Sequence, residues 1–223
     1  MLELKNKTIA EIVSEDISTA SVFKKYNLDF CCGGGKTVEN ACKKANIDVN
    51  TVVNDLISNT SNKTTPNLNF KDWDAVFLID YITNVHHTYV KDNLAIINEF
   101  AQKVATVHGH HAPETVEIAS LFLSLSEELQ SHLVKEEEVL FPAIREKANN
   151  SFYEYGTEVI SVLEDEHDAA GDIVKKIQEL SSNFTPPEWA CNTYKALYHK
   201  LDEFINDLYQ HIHLENNILF SKI

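Results

Sequence analysis

His132-Leu-Val-Lys-Glu136-Glu-Glu-Val-Leu140-Phe141 and His211-Ile-His-Leu-Glu215-Asn-Asn-Ile-Leu219-Phe220 are two copies of one pattern. In each, a histidine is followed four residues later by a glutamate, and then by Leu-Phe. At 3.6 residues per turn, a spacing of four stacks two side chains on one helix face. Each copy thus presents an imidazole beside a carboxylate. The surroundings are apolar at Leu133, Val134, Val139 and Ile144, or at Ile212, Leu214, Ile218 and Leu219. Two such faces opposed inside a bundle make half of a two-metal site.

The pattern extends outward. His86 follows Leu78, Ile79, Ile82 and Val85, and His167 follows Val159, Ile160, Val162 and Leu163. His86 precedes His132 by 46 residues and His167 precedes His211 by 44; the two glutamates are 79 residues apart. The chain therefore reads as two matched helix pairs, each with a lone histidine and then a His-x-x-x-Glu. One histidine on an apolar face is ordinarily a core residue. Two copies at matched spacing are hard to obtain that way. Four imidazoles and two carboxylates without a thiolate suit two iron or manganese ions better than a closed zinc site. Positions left open on such ions admit water, dioxygen or nitric oxide.

Elsewhere the pattern is helical too. Gly and Pro are scarce, at 6 and 5 residues, and strand-like alternation is absent. The expected fold is all-α: an up-down-up-down four-helix bundle over residues 69–223, behind a small helical domain over residues 1–58 and a polar linker over residues 59–68. The bundle helices are expected near Asp72 to Val107, Pro113 to Ala148 with Pro142 kinking it or marking its last turns, Thr157 to Ser182, and Thr185-Pro186 onward. In the small domain, Thr8 with Glu11 reads as a capping box, and Asp48 as a helix cap. Three glycines force residues 29–35 into a loop. There, Cys31 and Cys32 are expected as exposed, reactive thiols, aided by the helix opening at Thr37. Cys42 and Cys191 read as packing residues.

Net charge is −15, from 34 acidic and 19 basic residues. Such a surface disfavours nucleic acid and anionic membranes. No apolar run approaches the roughly 20 residues a bilayer requires. Residues 1–5 lack a secretory pattern, and the cytoplasm is the expected compartment. The other histidines read as surface or cap residues. For His108, His110 and His111, at the end of the first long helix, a second metal site is the weaker alternative.

Cys31-Cys32-Gly33-Gly34-Gly35, followed by the His132 pattern, Glu166-His167-Asp168 and the His211 pattern, resembles the RIC family of di-iron proteins that repair iron–sulfur clusters. The resemblance spans nearly the whole chain. It implies a hemerythrin-like bundle holding two non-haem iron ions per chain, oxo- and carboxylate-bridged. His86, His132, His167 and His211 would be terminal ligands, with Glu136 and Glu215 bridging. His86 is preferred to His87 because it follows Ile79, Ile82 and Val85 by helical steps. It also implies repair of clusters damaged by nitric oxide or peroxide, through nitric oxide reduction or iron donation. Damaged iron–sulfur proteins would be the partners, nitric oxide or dioxygen the small ligand, and a homodimer the assembly. Gly171 stands four residues after His167, where oxygen-carrying hemerythrins have a further histidine; this favours reduction or iron donation over oxygen storage. The rival reading is a hemerythrin-like oxygen or nitric oxide sensor. Iron storage is disfavoured because Glu164-x-x-His167 occurs once.

Overall fold

The computed structural model describes residues 2–61, 68–149 and 158–223. Most of the expected linker and the expected start of the third bundle helix at Gly156–Thr157 lie outside the described residues. Every regular element among the described residues is helical; the one β feature is an isolated bridge between Thr8 and Thr37. The chain divides into two compact units, Met1–Ile79 with Tyr209–Ile223, and Asp80–Leu208.

The first unit opens with α1 (Leu2–Asn6) and α2 (Ile9–Glu15). The capping box forms as the sequence suggests: the Thr8 hydroxyl accepts from the Glu11 amide at 3.1 Å, and the Glu11 carboxylate accepts from the Thr8 amide at 2.7 Å. A 3-10 turn capped by Asp16 leads into α3 (Ala20–Lys25), and the Cys–Gly loop leads to α4 (Val38–Ala45) and α5 (Val49–Ser61). Asp48 accepts from the Asn50 amide and the Thr51 hydroxyl, and so starts α5. Ile9, Val13, Phe23, Phe30, Val38 and Val52 fill a common core. Gly34, whose carbonyl accepts from the Ala10 amide, has no room for a side chain: a Cβ there would meet the Phe30 carbonyl at 2.6 Å and Ala10 Cβ at 2.9 Å.

Among the described residues, the second unit is built on four long helices. α6 (Ala75–Tyr81) passes through a π-helical turn, Ile82–His87, into α7 (Thr88–His108). A tight turn at Gly109 leads to α8 (Glu114–Lys135), so these neighbours run antiparallel. A Cβ on Gly109 would lie 2.5 Å from the Ala105 carbonyl and 2.6 Å from Val116 Cγ2. A second π-helical turn, Glu136–Leu140, joins α8 to α9 (Phe141–Asn149), so Pro142 falls in the first turn of α9, where its missing N–H costs little. α10 (Glu158–Leu180) packs on α8, as α7 does. α11 (Asn192–Leu214) gives this unit its residues up to Leu208. It starts later than Thr185-Pro186. Ser182, Asn183 and Phe184 all take left-handed backbone conformations, and Pro186 and Pro187 cannot donate, so 181–191 stays irregular. Phe122, Leu125, Leu129, Ile97, Phe204 and Leu201 form the buried centre of the bundle. No helix among the described residues is long and apolar enough to cross a membrane.

Candidate metal centre

π-helical turns occur at three of the places where the sequence sets candidate ligands: Ile82–His87, Glu136–Leu140 and Glu215–Leu219. A π turn holds one residue more than an α turn and so rotates the helix beyond it. The register of the first histidine changes accordingly. Ile82 is fully buried, and in a wide turn its face is continued by His87, five residues on. Val85, used to choose His86, is 41% exposed and marks no core face. His87 Nε2 lies 3.4 Å from Glu136 Oε2, whereas His86 Nδ1 lies 2.9 Å from Asp207 Oδ1 and its ring packs edge-on to Tyr81. The structure thus brings His87, where the sequence pattern favours His86, to the carboxylate.

His132 approaches the same oxygen: its Nε2 is 3.4 Å from Glu136 Oε2. His167 Nε2 is 2.9 Å from His132 Nε2, and His132, Glu136 and His167 offer ligand atoms within 4.8 Å of one another. All are buried, Glu136 completely. In the first unit, on the last turn of α11 and the π turn after it, His211 Nε2 lies 2.9 Å from Glu215 Oε1, both again buried. The second His-x-x-x-Glu copy therefore folds as the pairing of helix neighbours requires.

Two of these imidazoles are aimed by matching supports. His87 Nδ1 donates to Glu137 at 2.8 Å, and Lys91 Nζ donates to both Glu137 oxygens at 2.6 and 2.8 Å. His132 Nδ1 donates to Glu166 at 2.9 Å, and Lys135 donates to the other Glu166 oxygen. Burial raises the pKa of each glutamate, but the lysine and the histidine outweigh it and hold both below the usual carboxylate range. Each carboxylate is ionised and can only accept, so Nδ1 carries the proton. Nε2 of each ring then points inward, and for His87 and His132 it faces the buried Glu136 carboxylate at 3.4 Å. Such an approach is attractive when a proton or a metal cation sits between nitrogen and oxygen. Imidazole and carboxylate without thiolate are the donors of a nitrogen–oxygen transition-metal site. The residues fit a metal.

A pocket of 390 Å³ opens beside His132 and His167, walled by Leu129, Val162 and Ala170 with Glu128, Lys135 and Glu166 at its polar edge. It is large enough for a diatomic or a hydrated ion. His87 is shielded by Phe141, stacked at 5.6 Å.

Comparison with known proteins agrees with this geometry. A model of the hemerythrin HHE cation binding domain matches residues 79–223. The chain belongs to the hemerythrin HHE family. A domain of unknown function, DUF542, matches residues 5–60. The iron-sulfur cluster repair protein ScdA of Staphylococcus haemolyticus is 32% identical over 214 residues, 96% of each chain. Two proteins named iron-sulfur cluster repair protein YtfE, from Yersinia pseudotuberculosis and an Enterobacter species, are 34% and 35% identical over 99% of this chain and 98% of their own.

The hemerythrin match places the metal-type chemistry on residues 79–223; the cysteine loop belongs to the other matched segment. The expectation of two exposed thiols there is corrected. Cys31 is only 3% exposed, and Cys32 is half-buried. The Asp29 carboxylate accepts from the amides of both cysteines and from Cys31 Sγ. The hydrogen bond of Cys31 with Cys32, burial and the Asp29 charge push the Cys31 thiol well above its ordinary range. The loop is further tied within its unit: the Phe30 carbonyl meets His213 Nδ1 at 3.1 Å, and the Cys31 carbonyl accepts from Asn217 at 2.9 Å. Burial lowers His213 to about 4, so it serves there as a neutral hydrogen-bonding ring that also reaches Ser14. Cys191, expected as packing, is exposed.

Glu137 and Asp207 carry no mark in the sequence pattern, while Glu166 has only its position beside His167 to suggest a role. Lys91 at His87+4 and Lys135 at His132+3 are the signal that was present: each is one helical turn beyond its histidine.

Proposed function

We propose that this protein holds two iron ions per chain and uses them to repair iron–sulfur clusters damaged by nitrosative or oxidative stress in the cytoplasm. The residues that would hold the metal in this reading are His87, His132, Glu136 and His167, and, from the sequence pattern, His211 and Glu215. The observation that carries it is Glu136, completely buried with two inward-facing imidazoles at 3.4 Å from one oxygen. The family name of the relatives favours repair over sensing.

Such an iron pair, when bound, supplies two electrons and open positions for nitric oxide or dioxygen. The chain supplies the rest. Glu137 and Glu166 hold the Nδ1 protons of His87 and His132, which fixes both rings with Nε2 inward. Lys91 and Lys135 keep those carboxylates ionised. Phe141 excludes water on the His87 side. Removing nitric oxide would consume two nitric oxide molecules, two electrons and two protons and yield nitrous oxide and water. Donation of iron to a damaged cluster is the second route, and the pocket beside His132 and His167 gives it a path. Damaged iron–sulfur proteins are the partners, and a homodimer is the proposed assembly.

The test is repair in a defined mixture. Iron-loaded protein is added to a nitric oxide-damaged 4Fe–4S dehydratase with a reductant, and dehydratase activity is followed. Recovery that requires the iron-loaded form, and is absent with Glu136→Gln, supports the reading. Equal recovery with the iron-free protein contradicts it.

A further inference from the structure

The far end of the same bundle carries a second set of metal-type donors. α7 ends at His108, and the turn to α8 contains His110 and His111. Cys191, the residue before α11, faces them. His108 Nε2 lies 3.3 Å from Cys191 Sγ. His111 Nδ1 lies 2.8 Å from His110 Nε2, and the His111 ring is 5.5 Å from that of His108 at 86°. Trp189 packs against both, at 5.7 Å from His108 and 4.9 Å from His111, and Tyr194 adds a contact to His108 at 5.5 Å. His108 is 21 residues beyond His87, about 31 Å along α7 at 1.5 Å per residue. The two sets cannot share an ion.

We infer that His108, Cys191 and His111 form a surface site for a borderline divalent cation of the zinc class, with water as its fourth ligand. The pair of His108 Nε2 and Cys191 Sγ already has the separation of two ligands on one tetrahedral ion; bonds of about 2.0 and 2.3 Å at a tetrahedral angle put them roughly 3.5 Å apart. Thiolate with imidazole selects zinc-like ions over magnesium, calcium or manganese. His108 is held by packing against Trp189 and Tyr194, so the direction of its Nε2 is set before any ion arrives. In the tautomer in which His111 Nδ1 donates to His110, its Nε2 is the free ligand atom, the arrangement that orients ligating imidazoles generally. His111 is exposed and closes the site by side-chain rotation. Binding displaces the Cys191 thiol proton to solvent, and no electron is transferred. The net charge of −15 favours cations at the surface.

Cobalt(II) is the probe, added to the iron-loaded full-length protein under reducing, anaerobic conditions. One equivalent should bind beyond the iron, giving thiolate-to-cobalt absorption in the near ultraviolet and tetrahedral ligand-field bands in the visible. Zinc should bleach both by displacement. Cys191→Ser should abolish the thiolate band, and His108→Gln or His111→Gln should weaken binding by about ten-fold or more. Iron content should be unchanged in all three. Cys191 is exposed, so Cys191→Ser keeps the test valid even should His108→Gln misfold. Cys31→Ser should leave the band in place. Absence of a thiolate band, or a band that survives Cys191→Ser, overturns the proposal.

Discussion

The metal-facing histidines and the Cys31–Cys32 loop are both buried polar sites, yet they solve burial in opposite ways. Around His87 and His132, charge is kept: lysines back the glutamates, the glutamates hold the Nδ1 protons, and the Nε2 atoms point inward. In the loop, charge is suppressed: the Cys31 thiol donates to Asp29 and is pushed toward its protonated form. The difference teaches that a buried donor set becomes a cation site only when outer partners fix its ionisation. A pair of cysteines in a glycine-rich loop is not reactive by composition alone.

The strongest way to break this contrast is Glu136→Gln. It removes the charge to which two imidazoles converge, and metal content should fall to background while the fold survives. Elemental analysis with circular dichroism reads this directly. Next comes the register. His87→Ala should lose most of the bound metal, and His86→Ala should retain it but melt lower, because His86 pairs with Asp207. Retention in His87→Ala with loss in His86→Ala would reverse the assignment. Third, Glu137→Gln or Lys91→Met should weaken metal affinity by about 10- to 100-fold without abolishing it, the usual cost of losing an outer partner.

On the loop side, Cys31 should alkylate slowly at neutral pH, with a rate still rising above pH 9, whereas exposed Cys191 reacts first; peptide mapping after timed iodoacetamide treatment distinguishes them. The same raised pKa has a stability consequence. The unfolded thiol ionises near pH 8.5; the folded one does so higher. The stabilising contribution of protonated Cys31 is therefore complete below the unfolded pKa and is lost as pH climbs toward the folded value. Cys31→Ser should flatten that alkaline decline in denaturant midpoint. The smallest effect is Gly34→Ala, whose new Cβ meets the Phe30 carbonyl, and should cost about 1–3 kcal/mol in the first unit.

Much of this was legible in the sequence because helices translate spacing into geometry. His132 with Glu136 and His211 with Glu215 are helix neighbours as a spacing of four demands, and the Thr8–Glu11 cap formed from two residues. The failures have local causes. His86 is favoured by an α-helical period that the π turn at Ile82–His87 does not keep, and Val85 points outward. The start of α11 falls later than the prolines suggest because three consecutive left-handed residues, Ser182 to Phe184, are not announced by glycine. The burial of Cys31 depends on Asp29, Asn217 and His213, and two of those lie far along the chain, where no local pattern could indicate them. The His108–Cys191 pairing spans 83 residues and is invisible for the same reason.

The most direct test of the central claim is iron stoichiometry with Mössbauer spectroscopy on anaerobically reconstituted protein, beside Glu136→Gln. The account predicts two irons per chain in nitrogen–oxygen coordination, magnetically coupled once oxidised, and none retained by the variant. One iron per chain, a sulfur-ligated or tetrahedral ion at His87 and His132, or full retention in Glu136→Gln would contradict it.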